Sequence, residues 1–311
     1  RDRWTRRHPG RPGRRGLTPV SPAASRGGPS RGEPALGGPA PGGRREIRAT
    51  AEGDGRRATR ATAGGDGRRG PTWIAALADL VVPLECAGCG EPGKQWCPRC
   101  AHSLSGPLLT VRTRADLPVP AWVLAGHTGA AARAVSAYKD RGRADLARPF
   151  ASALAGGIDA LRTAGEIPDS GERPLVLVPA PASGRARRRR GFDHMRDVVD
   201  ALAAELAGST PPDDVVVAPL LEVRGRVRDA SGLGAGARAD NLAGRIRRRP
   251  ADTPLQTSRG VPTTVRELLS VRATVLVVDD VVTTGATAAA CVDGLRSGGL
   301  EVTGVLALTV A

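Results

Sequence analysis

Val275 to Thr287 reads V-L-V-V-D-D-V-V-T-T-G-A-T. The four apolar residues Val275 to Val278 form a run with the length and composition of a short strand buried on both faces. Asp279 and Asp280 follow side by side at its carboxyl end. A tight loop of small hydroxyl residues and one glycine comes next, and A-T-A-A-A-C-V-D-G-L from Ala286 has good helix composition. The predicted order is strand, acidic pair, Thr/Gly loop, helix start.

That order has a chemical use. Backbone N–H groups at a helix N-terminus are unpaired and carry partial positive charge. Thr283, Thr284 and Thr287 add hydroxyl donors beside the backbone of Ala286, and Gly285 allows close backbone approach. The loop from Thr283 to Thr287 is therefore expected to hold a phosphate. Asp279 and Asp280 cannot bind phosphate directly. They suit neighbouring sugar hydroxyls, or a divalent cation that takes oxygen ligands. A monophosphate beside a vicinal diol is a ribose 5-phosphate. The competing reading is an ordinary buried strand followed by an exposed acidic turn.

This stretch closely resembles the phosphoribosyl-pyrophosphate (PRPP) motif of type I phosphoribosyltransferases. The resemblance implies that the two acids hold the ribose hydroxyls and the Thr/Gly loop takes the 5′-phosphate.

A second loop follows an all-apolar strand at Leu175 to Val178. Pro179, Ala180, Pro181, Ala182, Ser183 and Gly184 lead into R-A-R-R-R-R-G-F-D-H-M. Small residues let N–H groups reach an anion, and the arginines from Arg185 to Arg190 can neutralise a pyrophosphate by bidentate contacts. A solvated basic loop is the plainer alternative. Elsewhere the pattern predicts a helix from Thr72 to Val82, a strand from Ala121 to Gly126, and helices over Gly129 to Tyr138, Ala144 to Ala160 and Asp193 to Leu206. Val215 to Val223 reads as extended and Pro250 to Pro262 as an insertion or loop. A strand at 274–279, a helix at 286–297 and a strand at 300–309 close the chain. Strands in apolar runs alternating with helices indicate a parallel sheet covered on both faces. Ligands in such sheets sit at the carboxyl ends of the strands, where both loops lie.

Four of the five cysteines fall in E-C-A-G-C-G-E-P-G-K-Q-W-C-P-R-C. Cys86/Cys89 and Cys97/Cys100 are two C-x-x-C pairs, and four thiolates form the closed tetrahedral set typical of structural zinc. A redox dithiol needs one such pair, and disulfides are not expected in a cytosolic chain. His102 is nearby and reads as a bystander. Cys291, inside the last helix, reads as a small buried residue.

The net charge of +15 is unevenly spread: residues 1–70 carry 17 arginines against 6 acids. That leaves about +4 for residues 71–311. Residues 1–70 are rich in Gly, Pro, Ala and Arg with few large apolar residues, which predicts a disordered basic tail. No methionine precedes Met195, which reads as a fragment or an upstream over-extension of the reading frame. A basic arm for nucleic acid is the functional alternative. No apolar run is long enough to span a bilayer, so no membrane insertion is expected. With no apolar h-region after the charges, a soluble, cytoplasmic protein is the expectation.

Taken in order, the paired cysteines, A-Y-K-D-R-G-R-A-D-L-A, V-P-A-P with R-R-R-G-F, R-A-D-N-L-A-G and the PRPP loop resemble the ComF/GntX family of competence-type phosphoribosyltransferase homologues. The likeness covers about residues 72–311 and places Lys139, Arg190, Gly191, Phe192 and Asn241 on family motif positions. It implies a type I phosphoribosyltransferase-like sheet at 107–311, preceded by a short helix and zinc knuckle at 71–106. It also implies PRPP with Mg²⁺ as ligand, and single-stranded DNA or the competence machinery as alternative partners. Plain nucleobase salvage is a third expectation. Two departures stand out. Asp193 and His194 replace the family's N-Q after R-G-F, and D-A-S-G-L-G-A-G-A-R after Arg228 lacks its usual Thr and Gln. His194 offers a general base, but a lone exposed histidine at a helix start reads as surface.

Overall fold

A computed structural model describes residues 17–19, 84–224, 245–250, 252–257 and 262–311. The expected helix at Thr72 to Val82, Asn241, and all of the stretch 1–70 except residues 17–19 lie outside the described residues. Strand β1 (Leu17–Pro19) comes first, then helix α1 (Pro98–Ala101) and a 3₁₀ turn at His102–Leu104. β2 (Leu109–Val111), β3 (Ala121–Gly126), α2 (Gly129–Arg141), a 3₁₀ turn at Ala144–Leu146 and α3 (Ala147–Thr163) follow. β4 (Leu175–Pro179), α4 (Gly184–Arg190), α5 (His194–Ala207), β5 (Val215–Val217), β6 (Leu221–Val223) and β7 (Ile246–Arg248) come next. β8 (Pro254–Thr257), β9 (Pro262–Thr264), α6 (Val265–Ser270), β10 (Thr274–Val282), α7 (Ala286–Arg296) and β11 (Gly304–Val310) complete the order.

The main sheet has nine strands in the order β1-β2-β3-β11-β10-β4-β5-β8-β9. Its centre, β3-β11-β10-β4-β5, is parallel throughout, and antiparallel strands finish both edges. Successive strand residues point to opposite faces, and the sequence uses this alternation. Leu175, Leu177, Leu276, Leu306 and Trp122 bury one face against α2, α3 and α5. Val176, Val178, Val275, Val277 and Val305 bury the other against α6 and α7. Both faces are thus covered, as the unbroken apolar runs require. Among the described residues no helix is long and apolar enough to cross a membrane.

Four segments differ from the sequence pattern. Val215 to Val223 is not one strand: β5 lies in the main sheet, while β6 pairs with β7 in a separate two-stranded sheet. Pro219 between them has no N–H to continue the ladder. Within the expected loop Pro250 to Pro262, β8 pairs antiparallel with β5 and extends the sheet. The arginine-rich run is not a loop but helix α4, whose N-cap Ser183 accepts a hydrogen bond from the Ala186 N–H at 3.2 Å. Leu17–Pro19, read with the tail, forms an edge strand on β2.

Candidate functional site

β4 and β10 are hydrogen-bonded parallel neighbours, with Val178 opposite Val277 and Pro179 opposite Val278. Their carboxyl ends therefore deliver Pro179–Gly184 and Thr283–Gly285 side by side. The Ala180 N–H donates to the Val278 carbonyl at 2.8 Å, tying the first loop to the second strand.

Gly285 caps α7 in the left-handed region at φ +85°. A side chain there would collide with Thr113, whose Cβ lies 2.5 Å from the position of an added Cβ. Both constraints select glycine. The segment after β2 backs this loop, because the Ala115 N–H donates to the Thr284 carbonyl at 2.8 Å. Thr284 Oγ1 in turn accepts the Ala286 N–H at 3.3 Å. Thr283 and Thr287 are half-buried beside it.

The acidic pair divides across the sheet. Asp280 continues the face of Leu276 and Val278 towards α2 and α5, whereas Asp279 continues the Val275 and Val277 face. Asp280 is buried, with Lys139 Nζ at 3.2 Å from Oδ1 and 3.0 Å from Oδ2. His194 Nε2 lies 3.2 Å from Oδ2. Burial pushes the Asp280 carboxyl up, but the Lys139 charge and the His194 contact outweigh it and hold the group well below the usual carboxylate range. Burial and the neighbouring Asp280 charge push Asp279 up to about 7. Asp280 likewise raises Lys139 against its own desolvation. Asp279 Oδ1 accepts the Asp280 N–H at 2.8 Å, which fixes the pair's backbone.

His194 is buried, not on the surface. It opens α5, and Tyr138 Oη donates to its carbonyl at 2.6 Å. Tyr138 and Lys139 are consecutive on α2, so one helix turn anchors the histidine and supplies the cation. Arg190 turns inward from the end of α4, with Nε donating to the Lys139 carbonyl at 2.6 Å and Nη1 lying 3.1 Å from His194 Nδ1. Thr309 Oγ1 donates to the Asp280 carbonyl at 3.3 Å and is met by His127 Nδ1 at 2.9 Å. His127 and Thr309 were invisible in the sequence because strand register alone brings them together. A cleft of about 260 Å³ opens beside Pro179–Ala182, with Arg187, Asp193, Arg196 and Glu222 on its walls.

The sulfurs of Cys86, Cys89, Cys97 and Cys100 all lie within 4.8 Å of one another and could hold a metal ion. Three of these cysteines are buried and Cys89 is exposed. The first pair sits on a turn closed by the Gly90 N–H to Cys86 carbonyl bond at 2.8 Å; the second is wound into the start of α1. A side chain on Gly88 would meet Cys100 Sγ at 2.7 Å, so this turn admits only glycine beside the sulfurs. Burial pushes the Cys86 thiol up, but the N–H groups of Cys97, Cys89 and Gly88 outweigh it and bring it down to about 6. A thiolate stabilised in this way suits metal ligation; Cys89 is lowered too, whereas Cys97 is raised and burial pushes Cys100 up. The module is fixed to the link after α2 and to α3: Arg143 Nη1 donates to the Glu85 carbonyl at 3.0 Å, and the Trp96 and Phe150 rings meet edge to face at 6.3 Å.

No protein-family model matches this chain, and no curated protein matches it.

Proposed function

We propose that this chain binds PRPP with Mg²⁺ as a phosphoribosyltransferase-type protein organised like the ComF/GntX family, with a structural zinc at its four cysteines. The observation that carries the reading is the pair of loops on adjacent parallel strands, one opening α7 through a left-handed glycine beside an acidic pair. Ligands of open parallel sheets sit at such carboxyl ends.

In this reading Thr283, Thr284, Gly285, Ala286 and Thr287 receive the 5′-phosphate, and Pro179 to Gly184 receive the pyrophosphate. Asp279 is the carboxylate assigned to a ribose hydroxyl, because Asp280 is engaged by Lys139 and His194. Mg²⁺ carried by PRPP neutralises pyrophosphate charge and takes oxygen ligands. In this reading the two loops orient the two phosphate ends, so that a nitrogen nucleophile meets C1 as pyrophosphate leaves. The test compares thermal stabilisation by PRPP–Mg²⁺, ribose 5-phosphate and pyrophosphate. PRPP should stabilise more than either half alone; equal shifts from pyrophosphate would leave only a generic anion site.

Zinc fits the four-sulfur set. A tetrahedral ion with bonds of about 2.3 Å separates its sulfurs by about 3.8 Å. Cys89 Sγ and Cys97 Sγ are 3.7 Å apart.

A second reading, a single-stranded DNA accessory role, draws on the exposed Arg187, Arg188 and Arg189 of α4. Replacing all three with Gln should flatten the salt dependence of DNA binding under this reading.

A further inference from the structure

We propose that His194 is a positioning residue, locked as the Nε2–H tautomer, that ties Arg190 to Asp280 and fixes the Asp280 carboxylate at the site. The role in ligand binding rests on the PRPP reading; the tautomer does not.

The tautomer follows from donor and acceptor inventory. A guanidinium has N–H donors and no acceptor. Arg190 Nη1 lies 3.1 Å from His194 Nδ1, so Nδ1 must offer its lone pair. The ring proton is then on Nε2, which lies 3.2 Å from Asp280 Oδ2, a buried oxygen that no aligned hydrogen bond among the described residues reaches, so the proton faces the carboxylate as an electrostatic contact. The opposite tautomer would set N–H against N–H at one end and a lone pair against a carboxylate at the other. A doubly protonated ring would keep the first of those conflicts.

Every neighbour of the ring is arranged to hold this chain. Tyr138 Oη fixes the His194 carbonyl at 2.6 Å, and the two rings are 6.2 Å apart. Arg190 is itself held by Nε to the Lys139 carbonyl. Lys139 spans both Asp280 oxygens, so the carboxylate is gripped from two sides. Asp280 thus serves as an anchor that orders Lys139, His194 and Arg190 relative to the loop beyond β10. The position is one at which this chain departs from the motif it resembles, and the departure is built into the buried network.

Long-range ¹H–¹⁵N correlation spectra of the full chain read the tautomer directly, with His194 assigned by comparison with His194→Gln. The Nε2–H pattern near neutral pH is expected; an Nδ1–H or doubly protonated pattern overturns the lock, whether or not PRPP binds. The second arm is calorimetry with PRPP–Mg²⁺. Gln can donate to Asp280 and accept from Arg190, so His194→Gln should stay within about threefold of wild type. His194→Leu should weaken binding by about tenfold or more, the fold-change for losing a polar contact to a buried charge. If the leucine variant fails to fold, His194→Asn, which is too short to reach Asp280, should show the same loss. Equal affinity in the glutamine variant and a folded leucine or asparagine variant overturns the positioning role. Absent PRPP binding in wild type defeats the functional reading and with it the binding role, while the tautomer is still decided by the spectra.

Discussion

Lys139→Met removes an ammonium that lies 3.0 Å and 3.2 Å from the two oxygens of Asp280. The two ends of this pair are unequal: the Asp280 side chain is 4% exposed and that of Lys139 37%. Breaking a fully buried pair costs about 3–5 kcal/mol, because the surviving charge has lost its water. Exposed pairs contribute below about 1 kcal/mol. In Lys139→Met the survivor is the buried carboxylate, still held by His194 at 3.2 Å. The expected loss is therefore about 2–3 kcal/mol, between those limits. In Asp280→Asn the survivor is an ammonium that reaches water, and the amide can still accept hydrogen bonds, so about 1 kcal/mol is expected. Adding Asp280→Asn to Lys139→Met removes the stranded charge and should be neutral or stabilising, a coupling of about 1–2 kcal/mol. Urea unfolding at pH 7.5 and fixed salt, with unchanged m-values, reads all three variants. Equal losses in the two single variants that add in the double would refute the buried-anchor reading.

Asp279 has its proton affinity raised to about 7 from 3.8. The folded protein therefore loses stability as pH rises from about 4 to about 7, then stays level. Asp279→Asn should raise the melting temperature at pH 8 and leave it nearly unchanged at pH 4; a pH-independent effect would show that the charge is not desolvated. Gly285→Ala places a Cβ 2.5 Å from that of Thr113 at φ +85°. It should cost about 2–3 kcal/mol by denaturant unfolding and weaken anion binding; a neutral result would mean the α7 start is shaped differently. Metal analysis should find one zinc per chain, lost in Cys97→Ser and on chelation with a fall in melting temperature; metal-free protein with unchanged stability would contradict the zinc assignment.

The parallel centre of the sheet was legible because its strands are continuous apolar runs. Val275 to Val278 and Leu175 to Val178 fall where expected, and β10 simply extends through Val282. The cysteine pairs were legible because C-x-x-C spacing fixes the turn locally. The edges were not: β8 has little apolar patterning and is recruited by pairing with β5, while Pro219 diverts the chain between two sheets. Residues 71–83 and Asn241 lie outside the described structure. At the site, adjacency in sequence concealed opposition in space, since Asp279 and Asp280 point to different sheet faces. His194 read as surface because nothing local reveals that Tyr138, Arg190 and Asp280 close over it. Its only sequence cue was its place at the start of a helix, close behind the arginine run.

Calorimetric titration of PRPP with Mg²⁺ into the full chain tests the central claim most directly, with Asp279→Asn/Asp280→Asn as control. Saturable one-to-one binding is predicted for wild type and none for a double variant that retains its circular dichroism and cooperative unfolding. Wild-type protein that is folded and metal-loaded yet binds no PRPP, or a folded double variant that binds with undiminished affinity, would contradict it.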